Sequence, residues 1–169
     1  DDLTKKYGST EKQIDLMVEA GLIIKKDKGG YYDRFRNRVM FPIRDNRGDV
    51  VGFGGRIIDE DDDPKYLNSP ETALFKKGYL LYGLFEGKQQ ISATKEVILV
   101  EGYTDVIGLS QYGIGNALAT LGTATTESHI KLIFQKAHEL TFCFDADNAG
   151  RKAAIRALEI CLPLIKQNK

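Results

Sequence analysis

The sequence has little cysteine, no net charge and no long apolar run, and each absence narrows the range of functions. Cys143 and Cys161 are the only two cysteines among 169 residues, which excludes a disulfide framework and leaves no cysteine spacing for a zinc site. Both lie in apolar patterns, so both are predicted to be buried thiols. No apolar run approaches the roughly 20 residues that a membrane-spanning helix needs. The 24 basic and 24 acidic residues cancel, which at face value argues against nucleic-acid binding, because nucleic-acid-binding domains are usually basic.

The overall composition is that of a globular protein. Hydrophobic residues make up 42% and charged residues 28% of the chain, as in domains that fold around a core. A length of 169 residues allows one domain or two small ones.

The zero net charge conceals a separation of charge along the chain. Residues 25–58 carry a net charge of +5, whereas residues 95–147 carry −4. The basic block places arginines among aromatic residues: Arg34, Arg36, Arg38, Arg44, Arg47 and Arg56 with Tyr31, Tyr32, Phe35, Phe41 and Phe53. Guanidinium groups bind phosphate with two hydrogen bonds and aromatic rings stack on bases, so this block favours a nucleic-acid contact. The alternative is a solvated, strand-rich surface whose aromatic side chains form core.

The chain changes character near residue 95, and we predict an α/β fold with two parts. Residues 1–94 are predicted to form an α+β part, with a helix over 10–20 that opens at Ser9-Thr10-Glu11. Two apolar runs around a turn-rich segment predict a β-hairpin over 39–58. A further helix or helical turn is predicted over 83–92.

Residues 95–169 alternate strands with helices. Buried strands are predicted at 96–100 and 139–144 and a short strand at 116–119. Helices are predicted at 104–112, after a Thr126 cap, and at 149–162. This βαβαβα order is typical of a parallel sheet with right-handed crossovers flanked by helices. His129 and His138 are interpreted as ordinary surface or packing residues.

Three carboxylates follow the ends of predicted buried strands. Glu101 comes directly after the strand 96–100, and Asp145 and Asp147 follow the strand 139–144. Ligands of open parallel sheets gather beyond the carboxyl ends of the strands. Convergent carboxylates repel one another unless a cation holds them together, and oxygen ligands favour magnesium or manganese. The alternative for one of these acids is capping of the following helix.

Particular strings of residues resemble a known family. The TOPRIM domain, a fold shared by topoisomerases and bacterial primases, is similar to this chain at Glu101-Gly102-Tyr103-Thr104-Asp105 and Asp145-Ala146-Asp147-Asn148-Ala149-Gly150-Arg151. The RNA-polymerase core of bacterial replicative primases is similar at four further places: Arg34-Phe35-Arg36-Asn37-Arg38-Val39-Met40-Phe41-Pro42-Ile43, Gly52-Phe53-Gly54-Gly55-Arg56, Pro64-Lys65-Tyr66-Leu67-Asn68-Ser69-Pro70-Glu71-Thr72, and Phe75-Lys76-Lys77-Gly78 with Leu81-Tyr82-Gly83-Leu84. The strings occur in the family's order and cover the chain from about residue 30.

The resemblance implies a DNA-directed RNA polymerase that makes short RNA primers for DNA replication. Its substrates would be ribonucleoside triphosphates on a single-stranded DNA template, joined by metal-dependent nucleotidyl transfer. Glu101, Asp145 and Asp147 match the catalytic acids that bind Mg²⁺ or Mn²⁺, and Asp105 matches a further acid of the same motif. The residues predicted to contact nucleotide and nucleic acid, with Arg34 added from the basic block, are Arg34, Arg36, Arg56, Lys65, Tyr66, Asn68 and Lys77.

The resemblance also implies parts that this sequence does not contain. A zinc module, a C-terminal domain that binds the replicative helicase in the primosome, and later TOPRIM acids are expected elsewhere, so zinc is expected only in a separate domain. We therefore expect a fragment of a cytoplasmic primase core with no membrane partner, and such an isolated fragment need not be active. Two alternatives remain: a TOPRIM nuclease or topoisomerase, and a non-catalytic nucleic-acid-binding scaffold.

Overall fold

The computed structural model describes residues 2–61 and 63–167, which fold into two compact units. Unit 1 comprises Asp1–Ile43 and Val50–Phe75, and unit 2 comprises Arg44–Asp49 and Lys76–Lys169. Within the described ranges, every helix is too short or too polar to span a bilayer.

Unit 1 begins with two short helices and continues as strands. Its elements are α1 (Asp2–Tyr7), α2 (Glu11–Glu19), β1 (Ile23–Lys25), β2 (Tyr31–Asp33), β3 (Arg38–Arg44), β4 (Val50–Ile57) and β5 (Tyr66–Asn68). The start of α2 is fixed by a reciprocal cap, in which the Thr10 hydroxyl accepts the Gln13 N–H and the Gln13 side chain accepts the Thr10 N–H. This cap satisfies two of the N–H groups that a helix start leaves without partners, and it confirms the predicted helix.

Two small sheets organise the strands of unit 1. Strands β1 and β2 form an antiparallel pair, and β3, β4 and β5 form a second sheet with β4 in the middle. The antiparallel register of β4 and β5 pairs Arg56 with Tyr66 and Gly54 with Asn68. Strands β3 and β4 are neighbours in this sheet, and the Asp45 N–H donates to the Asp49 carbonyl in the segment that joins them, as the predicted hairpin requires. Strand β4 also aligns residues of the predicted nucleotide-binding set.

The core of unit 1 forms where apolar side chains meet small residues of the sheet. Ile43 and Phe75 are completely buried, and Ile23 is nearly so. A Cβ on Gly52 would lie only 2.7 Å from Cδ2 of Phe75. Strand β4 can cover the Phe75 ring closely because a glycine stands at this position.

Unit 2 is built on a three-stranded parallel sheet. Its elements are a 3-10 turn (Lys77–Tyr79), α3 (Lys88–Thr94), β6 (Glu96–Val100), α4 (Tyr103–Gln111), β7 (Ala117–Ala119), α5 (Glu127–Phe134), β8 (Glu139–Phe142) and α6 (Asn148–Gln167). The strand order is β7-β6-β8, and both pairings are parallel. The predicted α/β architecture is confirmed, with the apolar strand β6 in the centre.

The core of unit 2 surrounds the central strand. Val97 and Leu99 of β6 are 1% and 0% exposed, and Leu118 of β7 is fully buried beside them. Helix α5 adds Ile130 and Ile133, both completely buried. Parallel strands buried on both faces read as continuous apolar runs, which is why β6 could be located from the sequence.

Two expectations about unit 2 were wrong in detail. Strand β8 ends at Phe142 rather than at Phe144, and the thiol of Cys143 is exposed, whereas that of Cys161 is buried as expected. Strand β8 borders the described sheet, and its side chains alternate between exposed and half-buried. The helix or helical turn predicted over 83–92 is observed as turns over 83–87 followed by α3.

Candidate active site

The carboxylate of Glu101 joins the ends of two neighbouring parallel strands. Glu101 is the first residue after β6, and Asp145 lies in the loop between β8 and α6. The backbone N–H of Asp145 donates a hydrogen bond of 2.9 Å to Oε1 of Glu101. Both side chains are exposed. The parallel arrangement of β6 and β8 brings these two acids to the same edge of the sheet, as the sequence predicts.

Asp147 caps the start of helix α6. Its Oδ1 accepts the N–H of Gly150 at 2.7 Å, and its carbonyl oxygen accepts the N–H of Arg151. A carboxylate at this position is also stabilised by the helix dipole. The capping role considered for one of the acids therefore belongs to Asp147, and its second carboxylate oxygen remains able to ligate a cation.

Asp105 stabilises the start of helix α4 from within its first turn. Its Oδ2 accepts the N–H of Gly102 at 2.9 Å, so the carboxylate closes the first turn of the helix that follows Glu101. Asp105 therefore stabilises the start of α4 through a backbone hydrogen bond. The family resemblance did not indicate this role.

Gly150 allows the two acidic loops to approach each other. A Cβ at this buried position would overlap the carbonyl oxygen of Asp145 and would lie 2.7 Å from Oε1 of Glu101. No larger residue fits without displacing either the Asp145 backbone or the Glu101 carboxylate. In the sequence Gly150 is recognisable only as part of a motif, and its role follows from this close approach.

These acids fit a divalent cation in their chemistry and in the placement of Glu101 against the Asp145 loop. All their donor atoms are carboxylate oxygens, the ligands that Mg²⁺ and Mn²⁺ prefer. Over residues 2–61 and 63–167, no three His, Cys, Asp or Glu side chains are already gathered so that they could hold an ion. Side-chain rotation of exposed Asp145 and Asp147 would therefore accompany metal binding.

Unit 1 places Arg34 and Arg36 along one cavity. The cavity has a volume of about 510 Å³, and Tyr32, Asn37 and Arg38 also line it. The guanidinium of Arg36 lies 4.9 Å from the centre of the Tyr32 ring, and a terminal nitrogen of Arg34 donates to the carbonyl of Asn68 at 3.4 Å. The cavity thus combines guanidinium groups with an aromatic face, the two features that contact phosphates and bases.

A second cationic group of unit 1 surrounds the exposed ring of Tyr66. The guanidinium of Arg56 and the ammonium of Lys65 each lie 5.9 Å from the ring centre. Both basic residues line a cavity of about 600 Å³. The cross-strand pairing of Arg56 with Tyr66 explains why residues ten positions apart in the sequence meet here.

Lys77, which belongs to unit 2, is held through its backbone by a residue that sequence analysis did not assign to the site. Its carbonyl oxygen lies 2.8 Å from Nε2 of His129, and His129 is completely buried. Burial lowers the pKa of His129, although hydrogen bonds to the backbone at Lys77 and Leu80 act in the opposite direction. Of the surface and packing roles left open for His129, the structure shows the packing role. The Thr126-x-x-His129 spacing, which is that of a capping box, could have indicated the bond to Thr126 but not the bond to Lys77.

Two family models match this chain. Residues 1–88 match the model for the DNA primase catalytic core, N-terminal domain, and residues 95–168 match the model for the Toprim domain.

Two bacterial DNA primases are similar to the whole chain and are longer than it. A DNA primase of Pseudomonas aeruginosa is 55% identical over 170 residues, covering 100% of this chain and 26% of the relative. A DNA primase of Escherichia coli strain K12 is 49% identical over 169 residues, covering 100% of this chain and 29% of the relative. The chain therefore spans less than a third of the length of these two proteins.

Solved structures have the same fold. A DNA primase domain from Pseudomonas aeruginosa is 57% identical with a TM-score of 0.91, over 96% of this chain and 51% of that chain. A DnaG primase catalytic domain bound to single-stranded DNA is 50% identical with a TM-score of 0.91, over 97% of this chain and 53% of that chain.

Proposed function

Since the chain belongs to the DNA primase catalytic-core family, we propose that it forms part of a nucleotidyltransferase, a DNA-directed RNA polymerase that makes short RNA primers on single-stranded DNA. The observation that carries this proposal is the bond between Glu101 and the Asp145 loop, which brings two acids together at the carboxyl ends of parallel strands. A basic and aromatic surface in the same chain supports a nucleic-acid substrate.

We propose that Glu101, Asp145 and Asp147 are the residues at which catalysis takes place. Together they would hold Mg²⁺ or Mn²⁺, which when bound neutralises triphosphate charge and lowers the pKa of the attacking primer 3′-hydroxyl. Glu101 keeps the Asp145 loop against the end of β6. Glu101 would therefore orient Asp145 as well as offer its own carboxylate oxygen to the cation. Asp105 supports the same edge by closing the first turn of α4.

The cationic residues are proposed to bind the charged backbones of template, primer and nucleotide. Arg34 and Arg36 would contact phosphates in their cavity, with Asn68 beside Arg34. Lys65 and Arg56 would do so around the Tyr66 ring. Contacts of this kind give affinity without reading sequence. Lys77 would bind the phosphates of the incoming ribonucleoside triphosphate.

We place the division between the two parts of the core at residues 94 and 95. The two family matches support this position, because one ends at residue 88 and the other begins at residue 95. The compact units divide differently, since Lys76–Thr94 lies within unit 2.

Partners outside this chain follow from the family. The single-stranded DNA of a similar catalytic domain supports a DNA template. The replicative helicase would bind another part of a longer, cytoplasmic protein. A zinc module would form a separate domain of that protein.

The decisive experiment is primer synthesis by the full-length protein in which this chain occurs, with Glu101→Gln. We expect the rate on single-stranded DNA to fall by at least 100-fold, because a neutral amide cannot replace a metal-binding carboxylate. Glu96→Gln is the matched control, since Glu96 is an exposed acid at the opposite end of the same strand. Undiminished synthesis by the Glu101 variant would contradict the assignment.

A further inference from the structure

A single buried histidine connects helix α5 to the backbone that carries Lys77. Lys77 is the first residue of the 3-10 turn, and its carbonyl oxygen lies 2.8 Å from Nε2 of His129. The next carbonyl along the turn, that of Gly78, accepts the Thr126 hydroxyl at 2.7 Å. Two consecutive peptide groups at Lys77 are thus bound by side chains from one helix start.

The hydrogen bonds around the ring define its protonation. The backbone N–H of Thr126 donates to Nδ1 of His129 at 3.2 Å, so Nδ1 must carry a lone pair. Nε2 therefore carries the proton and donates to the Lys77 carbonyl. The neutral, rigid ring therefore connects two backbone groups. Its Nδ1 accepts the N–H of Thr126 at the start of α5, and its Nε2 donates to the carbonyl of Lys77 in the 3-10 turn.

The helix that carries this connector is firmly placed. Ile130 and Ile133, which follow His129 on α5, are completely buried in the core of unit 2. Removing the ring would leave the Lys77 carbonyl and the Thr126 N–H without these partners in an interior site. The position of the Lys77 backbone is therefore determined by the packing of α5 as well as by the turn.

We propose that His129, assisted by Thr126, is a positioning residue that sets where the Lys77 side chain meets the phosphates of the incoming ribonucleoside triphosphate. This inference rests on the proposed function, which assigns Lys77 to the nucleotide. A lysine side chain is flexible, so the accuracy of its ammonium group depends on how firmly its backbone is held. Small displacements of a binding group cost large factors in enzymes.

The first test measures primer synthesis by the full-length protein with His129→Ala. Because Lys77 would bind the triphosphate equally in the ground and transition states, we expect KM for the nucleotide to rise about tenfold while kcat changes less than about threefold. His129→Gln should restore KM to within about threefold. Its amide can accept the Thr126 N–H, as Gln13 does for Thr10, and can donate to Lys77.

Gln13→Ala is the control for a purely structural effect. It breaks a reciprocal cap of the same kind in unit 1, on an exposed helix start. We expect it to lower thermal stability with no change in nucleotide KM. An equal rise in KM for Gln13→Ala and His129→Ala would overturn the proposal, because it would trace the effect to stability alone.

A double-mutant cycle with Lys77→Ala tests whether His129 acts through Lys77. If it does, His129→Ala should change KM less than about twofold when Lys77 is already alanine. A full tenfold rise in both backgrounds would contradict the inference. Should His129→Ala fail to fold, Thr126→Ala carries the same cycle, since it removes the bond to Gly78.

The proposed function and the inference fail in different ways. Active primer synthesis that is lost in Glu101→Gln but insensitive to His129→Ala would reject only the positioning role. A wild-type protein that makes no primers would reject the proposed function, and nucleotide affinity measured by equilibrium binding would then decide the role of His129.

Discussion

Glu101 accepts the backbone N–H of Asp145 across 44 residues of sequence, and this bond joins the ends of two parallel strands. The bond needs only a carbonyl-type oxygen, whereas cation binding needs the carboxylate charge. The two roles of Glu101 can therefore be separated by a substitution that keeps the oxygen and removes the charge.

Metal-dependent stabilisation should report the proposed site in the isolated chain. A cation that binds only the folded state raises the free energy of unfolding by RT ln(1 + [L]/Kd), where [L] is the concentration of free cation. We expect millimolar MgCl₂ to raise the Tm of the wild type and of Glu96→Gln, and to have little effect on Glu101→Gln. The measurement is thermal unfolding at constant ionic strength, with calcium and sodium for comparison. Equal shifts in all three proteins would rule out Glu101 as a ligand, and no shift in any would favour a non-catalytic scaffold.

Gly150→Ala should destabilise the protein, although alanine normally stabilises helices. The added Cβ would overlap the Asp145 carbonyl and crowd Oε1 of Glu101, at a cost of about 1–3 kcal/mol in the free energy of unfolding. Gly108→Ala is the matched control, because Gly108 lies inside α4 and a Cβ there meets no atom within 4 Å. That change should stabilise by about 0.5–1 kcal/mol. Denaturant titration of both variants decides the question, and a stabilising Gly150→Ala would show that the loops do not approach closely.

Stability should fall with acidification in a way that depends on His129. Burial holds the pKa of His129 below its ordinary value of 6.5, so the unfolded chain binds a proton more readily than the folded one. The stabilising contribution is complete above about pH 6.5 and is lost as the pH falls from there through the folded-state pKa. Protonation would also place a hydrogen on Nδ1 against the Thr126 N–H.

The check is the Tm of wild type and His129→Gln between pH 8 and pH 5. The wild type should lose more stability than the variant below pH 6.5, because glutamine does not titrate. Parallel curves would mean that the ring is not the group responsible.

Arg36→Ala should weaken binding of single-stranded DNA. Arg36 lies over the Tyr32 ring beside a cavity, and we expect an affinity loss of about tenfold from one lost phosphate contact and disturbed stacking. The slope of log K against log salt should fall by about 0.7. Arg47→Ala removes the same charge from an exposed turn outside both cavities and should change affinity less than about twofold. Equal losses in the two variants would indicate a general charge effect.

Local signals located the elements that depend on local physics. Helix α2 begins after Thr10 and helix α5 begins after Thr126, as their capping residues indicate. The apolar run over 96–100 is strand β6. The short strands β1, β2 and β5 have three residues each and were not predicted. Their pairing partners, rather than their own sequences, determine them.

Long-range contacts account for what the sequence did not show at the site. The close approach of Gly150 to Asp145 depends on how a loop folds back on a helix start. The connection from His129 to Lys77 spans 52 residues, and no periodicity reports it. Cys143 was misjudged because the apolar residues around it hide the alternation of a border strand.

The central place of β6 has a consequence for synthesis of the chain. Both of its hydrogen-bonding neighbours, β7 and β8, come later in the sequence. At typical translation speeds, the ribosome needs roughly 2–8 s to proceed from Val100 to Phe142. During that interval at least one edge of the strand lacks its partner, and Val97 and Leu99 lack part of their core, so we expect chaperones to bind this stretch of the emerging polypeptide.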